Sequence, residues 1–82
     1  MEPTDAMRIG ELAERVGVSA HTLRAWERRY GLLSPQRTPS GYRMYSHADE
    51  RRARSVRDLV EQRVPASQAV ARVLAAERGA LA

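Results

Sequence analysis

The sequence predicts a mainly α-helical domain in which a helix-turn-helix leads into a small β-hairpin and then into two further helices. Three observations point there. Two short apolar stripes at helical spacing flank the pair Gly17 and Val18. A segment punctuated by Pro35, Pro39 and Gly41 excludes helix between "PQR" and "YRMY", two short runs able to pair with each other. Beyond it, a capping pattern at Ser46 and a proline at Pro65 each open another apolar stripe.

Taken in order, residues 1–7 show no periodicity and read as a flexible leader, followed by a folded domain over 8–76 and a frayed tail over 77–82. In "RIGELAERVG", Ile9, Leu12, Ala13 and Val16 fall on one helix face, and Gly17 ends that helix. Ser19 then caps a second helix, "AHTLRAWERRYG", which presents Leu23, Trp26 and Tyr30 on one face and stops at Gly31. A connection this short forces the two helices to cross steeply and bury Leu12, Val16, Leu23 and Trp26 together. The outward face of the second helix holds Ala20, His21, Arg24, Ala25 and Arg28, small and cationic groups suited to a groove.

The hairpin folds across "TPSG". Tyr42, just past the turn, has nothing of the domain to pack on, and Arg43 beside it faces the opposite side of the strand. Tyr45 returns to the core. Ser46 and Asp49 form a capping box for a third helix whose stripe, Ala53, Val56, Leu59 and Val60, runs to about Arg63. Pro65 begins the last helix, with Ala69, Val70, Val73 and Leu74 inward, fraying by Gly79.

Composition narrows the function. A chain of 82 residues buries a thin core, and without cysteine neither disulfides nor thiolate metal sites can staple it. It carries no apolar run of membrane-spanning length, and its polar start lacks a secretory h-region, so a cytoplasmic protein is expected. All 14 basic residues are arginine and the net charge is +4. Between Arg24 and Arg57 nine arginines stand against three acids, so the rest of the chain is slightly acidic. Such a basic cluster is the footprint of a nucleic-acid face. His21 and His47 have no carboxylates or thiolates at ligand spacing, and the glycines match no phosphate-loop pattern, so neither metal binding nor enzyme catalysis is expected. Thr38, Ser40, Tyr42 and Arg43 at a hairpin tip beside a basic helix have the polarity to straddle a phosphate strand. In that arrangement the helix enters a major groove.

The residues "RIGELAERVGVSAHTLRAWERRYGLLSPQRTPSGYRMYS" resemble the DNA-binding domain of MerR-family transcriptional regulators, a winged helix-turn-helix supported by a helical pair. Within that family, Trp26 followed by "ERRYG" is most similar to the light-responsive repressors of the cobalamin-binding branch. The resemblance implies sequence-specific binding to double-stranded DNA. It places Thr22, Arg24 and the neighbouring face, including His21, Ala25 and Arg28, on bases and phosphates. It places Arg37, Ser40, Tyr42 and Arg43 on the wing at the minor groove and backbone, and it lets Arg51, Arg52 and Arg54 reach flanking phosphates. No cofactor is expected in these residues, since the family's dimerising coiled coil and effector site have no counterpart here. A corrinoid-binding domain is expected only in a longer parent protein, and the isolated domain is expected to be monomeric away from DNA. Two rival readings are a protein-interaction module, whose basic face takes an acidic antirepressor, and a small excisionase-like architectural DNA-binding protein.

Overall fold

The computed structural model describes residues 6–81. Its elements are α1 (Ile9–Val16), α2 (Ala20–Tyr30), β1 (Gln36–Arg37), β2 (Arg43–Met44), α3 (His47–Glu61) and α4 (Ala66–Leu81). α1 packs on α2 and on α3, while α4 lies along α3 and reaches α2. The strands form one antiparallel hairpin with Gln36 opposite Met44 and Arg37 opposite Arg43. No helix among the described residues is long and apolar enough to cross a membrane.

Local chemistry accounts for each boundary. Gly17 and Gly31 end α1 and α2 at φ 84° and 67°, a left-handed conformation that costs a residue with a Cβ about 1 kcal/mol or more. Ser19 caps α2 by accepting the Thr22 N–H at 3.0 Å. At α3 the capping box is complete, with the Asp49 N–H donating to Ser46 Oγ and the Ser46 N–H donating to Asp49 Oδ2, both at 3.1 Å.

Leu12, Val16, Leu23, Trp26, Tyr45, Val56 and Val70 are buried, while Tyr30 and Leu59 pack against them half-buried. Four more core residues, Met7, Leu32, Leu33 and Ala69, complete the cluster with Ala53. Each fully buried leucine contributes roughly 1.5–3 kcal/mol by leaving water.

Three expectations are corrected. Met7 is not part of a loose leader: it is 2% exposed and forms an antiparallel bridge with Tyr45, through N–H···O bonds of 2.8 and 2.7 Å in the two directions. The rest of the expected leader, residues 1–5, lies outside the described residues. The final helix does not fray at Gly79 but continues to Leu81, since its backbone ladder has no breaker stronger than one glycine. Val60 leaves the apolar stripe of α3 and is 37% exposed, because the chain turns away at Gln62 and Arg63 before another element covers it.

Candidate nucleic-acid interface

α2 and the hairpin flank a cleft of about 400 Å³, lined by Arg24 of α2, Arg37 of β1, Arg43 of β2, Gly41 and Tyr42 at the turn, Tyr45, and Arg8 and Ile9 at the start of α1. Four of the residues expected to touch nucleic acid thus come together: Arg24, Arg37, Tyr42 and Arg43. His21 and Arg28 are exposed on α2 and Ala25 is half-buried there, outside the cleft lining, and Ser40 is exposed at the hairpin tip. Thr22 is half-buried, and its Oγ1 accepts a 3.0 Å hydrogen bond from Ser19 Oγ.

The hairpin holds its shape through its own side chains. The Tyr42 N–H donates to Thr38 Oγ1 at 3.1 Å, and Arg37 Nη1 donates to the Gly41 carbonyl at 3.3 Å. Gly41 itself turns the chain at φ 90°. Because a carbonyl carries no net charge, Arg37 braces the turn and still offers a full positive charge to the cleft.

Glu27, the one acid between Leu23 and Ser46, ties α2 to the hairpin. Its Oε1 accepts the buried Tyr45 hydroxyl at 2.7 Å, and its Oε2 pairs with Arg43 Nη1 at 3.2 Å. Burial, together with the hydrogen bond and negative charge of Glu27, pushes the Tyr45 hydroxyl up to about 12. Arg43 is therefore not a free cation, although half of its side chain remains exposed.

Tyr42 departs from expectation. The ring is 51% exposed, yet it does have a packing partner, for the Arg8 guanidinium lies over it with its central carbon 3.9 Å from the ring centroid. Such a stack keeps the cation's charge while fixing its position. Nothing local marks Arg8 for this stack, since it lies off the apolar stripe of the helix it precedes and 34 positions before the ring it meets.

The arginines of α3 differ from those of α2. Arg52 donates from Nε to Glu77 at 2.7 Å and from Nη1 to Asp49 at 2.9 Å, and Arg54 bonds Glu50 through Nε and Nη2 at 2.9 and 2.8 Å. These acids on α3 and α4 compete with the role expected of Arg52 and Arg54 at flanking phosphates. Arg51 has no ion pair among the described residues and is exposed. Asp49 is fully buried but satisfied, since the Ser34 N–H also donates to it at 3.0 Å and ties the α2–β1 loop to α3. Glu50 accepts from Arg54 and lies against His47 and Arg15, and these contacts, the Arg54 hydrogen bond foremost, outweigh burial and hold its carboxyl below the usual range.

The chain matches the MerR helix-turn-helix family of regulatory proteins over residues 7–77, a span that begins at the buried Met7. It is 45% identical over 62 residues to the transcriptional repressor CarH of Myxococcus xanthus, covering 76% of this chain and 21% of that protein. To the transcriptional regulator MlrA of Escherichia coli K12 it is 45% identical over 60 residues, covering 73% of this chain and 25% of MlrA. To the repressor CarA of Myxococcus xanthus it is 41% identical over 69 residues, covering 82% of this chain and 24% of CarA. The chain thus spans a quarter or less of the length of these relatives. All three are regulators of transcription rather than enzymes, and none lends support to the excisionase-like or interaction-module readings. With the family matched along nearly the whole chain and its helix-turn-helix and wing both present, the protein belongs to the MerR helix-turn-helix family of regulatory proteins.

Proposed function

We propose that this chain binds duplex DNA as the recognition domain of a transcription regulator, with α2 in the major groove and the hairpin against the adjoining backbone and minor groove. One observation carries the reading: α2 and both strands of the hairpin contribute arginines to the lining of one cleft, and among the described residues only Arg43 of these pairs with an acid. Phosphate contacts supply affinity and register, while Arg24 and its neighbours His21, Thr22, Ala25 and Arg28 discriminate bases. Two of the relatives are repressors, so occupancy of an operator that blocks transcription is the outcome proposed for binding. A single copy binds weakly, and two copies on repeated half-sites gain through effective concentration.

Selection from a random-sequence duplex pool tests this. Arg24→Ala is expected to relax preference at one or two positions, at about 1–3 kcal/mol per lost base contact. Arg51→Ala is expected to weaken all duplexes alike. Absence of salt-sensitive binding to any duplex by the unaltered chain would refute the reading.

A further inference from the structure

We infer that Arg8 is a DNA-contacting residue that closes the cleft between α2 and the wing around one backbone phosphate, with the Tyr42 ring as the platform that aims it. The inference rests on the DNA-binding reading and adds to it a site with a defined ligand, a phosphodiester group.

Four arginines from four separate places in the chain line this cleft: Arg8 before α1, Arg24 on α2, Arg37 on β1 and Arg43 on β2. Among the described residues, only Arg43 of these four has a carboxylate partner. Arg37 is bound to a neutral carbonyl and Arg8 to a neutral ring, so neither charge is cancelled. Gathering like charges into a cleft of about 400 Å³ is unfavourable unless an anion enters, and the cleft has room for a phosphate with its first water molecules. Glu27, the acid nearest the cleft among the described residues, is occupied by Tyr45 and Arg43.

The placement of Arg8 is also specific. The bridge between Met7 and Tyr45 fixes the backbone immediately before Arg8, through bonds of 2.8 and 2.7 Å. The stack on Tyr42 then fixes the far end of the side chain at 3.9 Å. A flexible surface arginine pays conformational entropy to meet a phosphate, whereas one held at both ends has lost most of that freedom already. The exposed position of Arg8 leaves its N–H groups able to reach a ligand. The half-exposed Tyr42 thereby has a role besides any contact of its own: it orients a cation at the wing's inner edge.

Affinity of the 82-residue chain and its variants for a selected duplex, measured over a salt series, decides the matter. Arg8→Ala is expected to weaken binding to selected and unrelated duplexes by a similar factor, and to reduce the slope of log K against log salt by about 0.9, the value of one phosphate contact. Arg8→Lys keeps the charge but not the planar stack, and should retain the slope while losing part of the affinity. Tyr42→Leu should match Arg8→Lys. Millimolar inorganic phosphate is expected to compete weakly and equally against all variants, because the site is built for a phosphate presented by duplex. If Arg8→Ala lowers affinity with the salt slope unchanged, Arg8 merely braces the wing and the inference is overturned. It is overturned equally if Arg8→Ala, folded by circular dichroism, binds as the unaltered chain does. Failure of the unaltered chain to bind any duplex would remove the underlying DNA reading as well, a result separable from either of these.

Discussion

Replacing Glu27 is the sharpest single test of how the recognition helix and wing are joined. Glu27→Ala removes the acceptor of the Tyr45 hydroxyl, which lies at 2.7 Å on a residue 1% exposed. A buried hydroxyl left without a partner costs about 1–3 kcal/mol. The Arg43 pair is half in water, so its loss adds less than about 1 kcal/mol. Together these span about 1–4 kcal/mol, with a centre at about 2–3 kcal/mol. At about 4–8 °C per kcal/mol for a domain of this size, that centre lowers Tm by roughly 8–24 °C. Glu27→Gln keeps an acceptor for Tyr45 and loses only the charge, so its Tm should fall by less than half as much. Thermal unfolding by circular dichroism reads both variants, and a Glu27→Ala transition within about 2 °C of the unaltered chain would refute the strut.

The same residue sets a response to alkali. In the folded chain the Tyr45 hydroxyl holds its proton up to about 12, whereas an unfolded tyrosine releases it near 10. The folded state binds this proton more tightly, so the contribution to stability is whole below pH 10 and disappears as pH rises from 10 to about 12. Removing the Glu27 charge leaves burial as the main cause. The window in Glu27→Gln should therefore narrow from its upper end, which tyrosinate absorbance during a pH titration measures directly.

Arg57→Ala should cost about 1–2 kcal/mol in urea unfolding, because Arg57 Nη1 donates to the last carbonyl of α1, that of Val16, at 2.6 Å and joins α3 to the helix-turn-helix corner. Arg63→Gly should raise stability by about 0.5–1 kcal/mol, since Arg63 turns the chain between α3 and α4 at φ 74°, a conformation that costs an L-residue and not glycine. Glu50→Gln should be less stable than the unaltered chain at neutral pH, with the gap closing as pH falls below the ordinary value of 4.5. A carboxyl whose folded pKa is lowered, here chiefly by its bond to Arg54, stabilises only while ionised. Unfolding midpoints at pH 7 and pH 3.5 check this.

What could be read in the sequence was what is decided within one or two turns of chain. Gly17, Gly31, Ser19 and the Ser46–Asp49 box act on backbone groups a few residues away, so their chemistry specifies helix ends without reference to the rest of the molecule. Leu32 and Leu33 carried a usable signal, an apolar pair directly after a helix-ending glycine, where the chain commonly folds back onto the helix. The α3 ion pairs were equally legible, for Asp49 with Arg52 and Glu50 with Arg54 stand three and four positions apart. The contacts of Met7 and Arg8 were not. A one-residue bridge and a stack across 34 positions leave no periodicity, because they exist only after the wing has folded beside α1.

This division changes the electrostatic account of the domain. Nine arginines between Arg24 and Arg57 suggest a broad basic surface. Yet Arg43, Arg52, Arg54 and Arg57 each meet a carboxylate. Among the described residues, the arginines of that cluster without an ion pair are Arg24, Arg28, Arg29 and Arg37 on α2 and the wing and Arg51 at the start of α3, and Arg8 joins them from outside the cluster. Each phosphate neutralised contributes about 0.9 to the salt slope, so contacts from these six arginines give a slope of about −5 per bound chain. Had all nine mid-chain arginines engaged phosphate, the slope would approach about −8. A measured slope near that steeper value would mean that DNA strips the α3 arginines from their acids. Ion pairs held at 2.7–2.9 Å, one of them on the fully buried Asp49, oppose that exchange. The steepness of a salt titration thus reports which arginines the fold has reserved for itself and which it leaves to the duplex.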